Sequence, residues 1–138
     1  MNSGYSTTPL AKKLGIKDGM IIRIVHPPEN YFLLFTDFPA GVKITRAKNN
    51  KDLVHYFTNS AVELEKEISD LRKEIFPNGM IWVSWPKKAS GIKTDLTEDL
   101  IRSMAISHGL VDIKVCAIDE TWSGLKLVVP VKERVPDF

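Results

Sequence analysis

Met20-Ile21-Ile22-Arg23-Ile24-Val25 is a nearly continuous apolar run of strand length, followed at once by His26-Pro27-Pro28. A strand apolar at successive positions has to be covered on both faces, as strands are inside a parallel sheet. The prolines end it sharply, because a residue without an N–H cannot continue a central strand. A chain built round such a strand needs length for crossovers and for two covering layers. The 138 residues provide it, and a domain of that size needs no disulfide or metal to hold its core.

The flanking pattern agrees. Residues 1–8 are small and polar and read as an N-terminal tail, with a single α/β domain expected over 9–138. Pro9 suits the first position of a short helix over Leu10–Leu14, stopped by Gly15. Tyr31–Phe35 reads as one or two helical turns, Val42–Arg46 as a second strand and Asp52–Thr58 as a third. Ser60 and Glu63 make a capping box, and Leu64, Ile68, Leu71 and Ile75 follow as one apolar stripe of a long helix. Pro77-Asn78-Gly79 is expected to stop that helix before a strand over Met80–Trp85. Thr97 is a good N-cap, with Leu96 and Ile101 in staple positions and Leu100, Met104 and Ala105 continuing the buried stripe to Gly109. Strands over Val111–Asp119 and Leu125–Val131 close the chain, joined by Glu120-Thr121-Trp122-Ser123-Gly124.

Composition excludes several classes. With 43% hydrophobic and 26% charged residues the chain is globular rather than disordered. Its apolar runs are too short to span a bilayer, and no charged n-region with an apolar h-region opens it. Cys116 is the one cysteine, which excludes an internal disulfide and any cysteine-based zinc cluster, and a cytoplasmic location is expected. The net charge of +2 hides eight basic against three acidic residues over 1–51, yet no aromatics accompany Lys43, Arg46, Lys48 and Lys51. Nucleic acid is therefore an unlikely partner on this reading.

Strands alternating with helices and ending in a hairpin give a three-layer α/β sandwich. A mostly parallel sheet that ends in an antiparallel hairpin resembles the Rossmann-like methyltransferases. That resemblance implies an S-adenosylmethionine site after the first strand, where glycines allow close backbone approach. Here Val25-His26-Pro27-Pro28-Glu29-Asn30 offers no glycine, and Lys43–Lys48 offers no acid for the ribose. The scaffold is read as degenerate, and no cofactor is expected.

His26, His55 and His108 lack metal-ligand spacing, so no metal is expected. Four segments should meet at one end of the sheet: His26–Tyr31, Thr58-Asn59-Ser60, Trp85–Asp95 and Asp119–Gly124. Lys87 and Lys88 would hold an anion, aided by Ser90 and Gly91, while Trp85 and Trp122 wall an aromatic slot. Thr94, Asp95, Glu120, His26 and Tyr31 complete the candidate ligand-binding set; Asp95 and Glu120 would alternatively pair with the lysines.

Trp85-Pro86-Lys87-Lys88-Ala89-Ser90-Gly91, the segment 94–99 and the segment 109–126 resemble a family of small bacterial proteins, as do Gly4-Tyr5-Ser6 and the segment 9–15. That family is a domain of unknown function, so the resemblance implies a bacterial, cytosolic, stand-alone domain and no activity. The expectation is a non-enzymatic domain that binds a small anionic or aromatic ligand or a protein partner. The alternatives are a small enzyme acting on an anionic substrate and a methyltransferase with an atypical cofactor loop. The oligomeric state is open.

Overall fold

The computed structural model describes residues 8–134, so the tail expected over 1–8 lies outside them except for Thr8. Helix α1 (Leu10–Leu14) precedes strand β1 (Ile21–Val25), and a tight helical turn at Tyr31–Leu34 leads to β2 (Lys43–Ile44) and β3 (Lys51–Phe57). Helix α2 (Ala61–Glu74) runs directly into β4 (Ile75–Pro86). A turn at Lys88–Ser90, helix α3 (Glu98–Ser107) and the hairpin β5 (Val111–Ala117) to β6 (Trp122–Val128) follow.

The six strands lie in the order β2-β1-β3-β4-β6-β5. Neighbours from β2 to β4 are parallel, and β6 enters antiparallel between β4 and β5. This is the mostly parallel α/β sheet with an antiparallel end that the sequence predicts. The pleat sends alternate residues to opposite faces. Val54, Tyr56, Ile81, Val83 and Leu125 pack under Leu64, Ile68 and Leu71 of α2 and Ile101 and Met104 of α3. On the other face Ile22, Leu53, Phe57 and Trp82 pack under Leu10 and Leu14 of α1 and under Tyr31 and Phe35. The Trp82 indole N–H donates to the Leu14 carbonyl at 2.8 Å, tying α1 to the sheet.

Several boundaries differ from the sequence reading. Helix α2 stops at Glu74, three residues before Pro77, because its last residue turns inward to β1. The Glu74 carboxylate, 1% exposed, takes two hydrogen bonds from the Arg23 guanidinium, at 2.5 and 2.8 Å. Ile75 then pairs with Lys51, and the register shifts before Leu53 meets Met80. Gly79 fills that irregular stretch; a Cβ there would lie 2.9 Å from the Lys51 carbonyl oxygen. Strand β2 is only two residues long, and both are exposed. Leu100 is exposed rather than buried, since the stripe of α3 runs through Ile101, Met104 and Ala105. Strand β6 begins at Trp122, because Asp119 Oδ1 accepts from the N–H groups of Thr121 and Trp122 and tightens the hairpin turn.

Candidate active site

At the carboxyl ends of β1 and β3 the chain leaves in opposite directions, from β1 toward the β2 edge and from β3 through α2 to β4. Open α/β sheets hold ligands at such a reversal, because diverging connections leave a crevice. Here it is a cleft of about 290 Å³ lined by His26, Phe57, Thr58, Asn59, Glu63 and Trp122. It continues into a hollow of about 450 Å³ lined by Asn59, Ser60, Lys93, Thr94 and Asp95.

Each wall has a local cause. His26 leaves β1 with φ +52°, a left-handed turn that glycine adopts most easily, and Pro27 and Pro28 follow without N–H donors. Its imidazole Nδ1 lies 3.9 Å from Glu63 Oε1. Ser60 Oγ accepts from the Glu63 N–H at 3.2 Å, which is half of the expected capping box. The other half is rerouted: the Ser60 N–H donates to Thr58 Oγ1, and the Thr58 hydroxyl donates to Glu63 Oε1. The carboxylate of Glu63 is thereby held at the cleft instead of folding back on its own helix. Trp122 stands edge-on to Phe57, ring centroids 5.1 Å apart, and forms the aromatic wall.

The four predicted segments do converge at this end, although most of their side chains serve the loops themselves. Asp95 Oδ1 accepts from the Ala61 N–H at 2.9 Å, capping α2. Thr94 donates to the Asn59 carbonyl and accepts from the Leu96 N–H. Ser90 Oγ donates to the Lys87 carbonyl and accepts from the Ile92 N–H, closing its own turn. The Lys87 N–H donates to the Thr121 carbonyl at 2.8 Å, while Lys88 and Glu120 are exposed. Trp85 and Trp122 cannot wall one slot. Trp85 is 7% exposed within the core under α2 and α3, whereas Trp122 packs with the residues of the opposite face. Their positions on paired strands, Trp85 opposite Ser123 and Pro86 opposite Trp122, impose that separation.

Tyr31 lies buried beneath the cleft rather than in it. Its hydroxyl is 2.9 Å from His55 Nδ1, and His55 Nε2 is 2.8 Å from Ser84 Oγ. Complete burial pulls the His55 pKa down to about 3 and pushes the Tyr31 phenol up, so the imidazole is neutral. His55 is thus a satisfied core histidine, as its lone position suggests. Glu63 and Phe57 are cleft residues outside the predicted segments, Glu63 because its place in a capping box gave it a structural role. Thr58 and Asn59 lay in a predicted segment but not in the candidate ligand-binding set.

No protein-family model matches the chain, and no curated protein matches it in sequence. The solved structures give a consistent picture. A SAM-dependent methyltransferase from Aquifex aeolicus is similar at TM-score 0.60 and 14% identity, over 87% of this chain and 88% of that one. A TehB-like SAM-dependent methyltransferase from Corynebacterium glutamicum gives 0.58 and 10%, over 93% and 91%. Magnesium protoporphyrin IX methyltransferase from Synechocystis, with SAM bound, gives 0.55 and 10%, over 88% and 74%. At these identities the likeness establishes the fold, a methyltransferase-like Rossmann sheet. It also corrects the expectation of a non-enzymatic binding domain to this extent: these three structures with the same sheet are methyltransferases, one of them with SAM bound. No family model or curated relative supports the resemblance to a bacterial family of unknown function, which rests on the quoted sequence segments alone.

Proposed function

We propose that the protein is an S-adenosylmethionine-dependent methyltransferase with an atypical cofactor loop, acting from the cleft between β1, β3 and α2. The observation that carries this reading is the position of that cleft at the reversal of strand order, with Glu63 and Trp122 in its walls. The donor set fits an adenosyl sulfonium. A carboxylate and an aromatic face both attract a cation that carries no N–H. The amide of Asn59 and the carboxylate of Glu63 suit a ribose diol and an adenine edge. The departure is the loop: His26-Pro27-Pro28 replaces glycines, so side chains take over what backbone amides usually supply.

When bound, such a cofactor supplies an electrophilic methyl carbon. The chain's own part is positioning and proton handling. Thr58 fixes the Glu63 carboxylate by its 2.5 Å hydrogen bond. His26, largely exposed at the rim beside that carboxylate, is placed to take the proton that an acceptor hydroxyl or amine loses. Trp122 shields one side of the cleft from water. A bacterial cytosolic home accords with the loop resemblance and the single cysteine, and no helix among the described residues is long and apolar enough to cross a membrane.

Calorimetric titration of the full chain with S-adenosylmethionine and S-adenosylhomocysteine tests the reading. We expect saturable binding of both, weakened at least tenfold in Glu63→Gln and in Trp122→Ala, with melting temperatures within a few degrees of the parent. Absence of binding by the folded parent protein overturns the proposal.

A further inference from the structure

A second hollow, of about 500 Å³, opens on the other face of the sheet between α1 and β5, lined by Thr8, Lys12, Lys13, Lys114, Val115, Cys116 and Ala117. Among the described residues no carboxylate lines it. The hairpin register sets Lys114 directly opposite Lys126, and cross-strand partners point to the same face. Like charges placed so repel; burial first, and the Lys114 charge after it, hold the Lys126 ammonium below its ordinary pKa. The charges of Lys13 and Lys114 likewise reach Cys116, working against the burial that raises its thiol. Lys13 is anchored toward the strand, its Nζ donating to the Ala117 carbonyl at 2.8 Å. Among the described residues none of Lys12, Lys13, Lys114 and Lys126 stands within ion-pair distance of a carboxylate.

Three ammonium groups from α1 and β5 therefore line one hollow, with Lys126 of β6 beside Lys114, and among the described residues none has a counter-charge, at a cost in stability. We propose that this hollow binds a small anion bearing a diphosphate, held by Lys13, Lys114 and Lys126 with Lys12 at the rim. The number of cations and the space favour a diphosphate over a single phosphate. A single phosphate could bridge Lys114 and Lys126, but reaching Lys13 on α1 as well takes a longer anion, and the hollow is far larger than one phosphate needs. This site lies apart from the Glu63 cleft and does not depend on the proposed methyltransferase chemistry.

Inorganic pyrophosphate is the probe, and the chain's one cysteine is the reporter. We expect calorimetry on the full chain to give one saturable site for pyrophosphate, persisting at 0.15 M salt, where diffuse surface attraction is largely screened. Binding should weaken at least tenfold in Lys114→Gln and in Lys126→Gln, and remain in Lys87→Gln. Saturating pyrophosphate should slow the reaction of Cys116 with the neutral reagent N-ethylmaleimide several-fold. Lys114→Gln should also melt slightly higher than the parent without ligand, since it removes the repulsion, so loss of binding cannot be charged to misfolding. Pyrophosphate binding that vanishes at 0.15 M salt, or that survives both glutamine substitutions, overturns the proposal.

Discussion

The Tyr31–His55–Ser84 chain makes stability depend on pH in a way that can be isolated. The imidazole is fully buried and neutral, with a pKa of about 3 in the folded protein against roughly 6.5 in an unfolded chain. The unfolded state therefore binds the extra proton first. The contribution of neutral His55 is complete above about pH 6.5 and is lost progressively as the pH falls toward about 3. At pH 4.5 the two titrations differ by roughly 2–3 kcal/mol, or about 9 °C in melting temperature for a domain of this size. His55→Phe keeps a ring to stack on Phe57, whose centroid is 4.2 Å away, and removes the titration. It also strips Tyr31 and Ser84 of their buried partner, each at roughly 1–3 kcal/mol. The variant should be clearly weaker at pH 7.5, and the gap should narrow by roughly 2–3 kcal/mol at pH 4.5. Urea unfolding followed by tryptophan fluorescence at several pH values reads both. Every other carboxylate and histidine is common to the two proteins and cancels. A gap that stays constant from pH 7.5 to 4.5 would refute the reasoning.

Two further perturbations address the frame of the sheet. Glu74→Gln leaves the half-buried Arg23 guanidinium without its counter-charge and should cost about 3–5 kcal/mol in urea unfolding; Arg23→Met with Glu74→Leu should recover most of it. Ser60→Ala and Asp95→Ala each remove one acceptor from the first turn of α2 and should cost about 1 kcal/mol apiece, measured the same way.

The parts of this structure legible in the sequence are those fixed by neighbours in the chain. Ser60 and Thr97 announce their helices because a cap acts across three residues, and Met20–Val25 announces a covered strand by its own composition. The antiparallel end was legible too, as two strands joined by a short polar link. What escaped depends on contacts far apart in sequence. Arg23 meets Glu74 across 51 positions, and that pair, not Pro77, decides where α2 ends. Asp95 reaches α2 across 34 positions, which turns a supposed ligand residue into a cap. The candidate site failed at Trp85 for a different reason. Its strand and end of the sheet were right, but its face is decided by the pleat, which one residue of register reverses. The cleft itself is not legible in the loop after β1, which lacks glycine, because it is furnished by side chains from β3, α2 and β6.

Strand β2 pairs with β1 only at Ile21 and Ile22, and the Ile22 carbonyl then takes the Thr45 N–H before the chain departs. The sheet is consequently a wedge, broad at its amino end and one strand narrower where the cleft lies. Six residues suffice to pass from β2 back to β3, because they round the start of β1 instead of climbing its whole length. Among the described residues no strand pairs with β1 beyond Ile22 on that side, so hydrogen bonding between strands does not wall the cleft there. The walls that side chains do supply to the cleft are Trp122 from β6 and Glu63 from the first turn of α2.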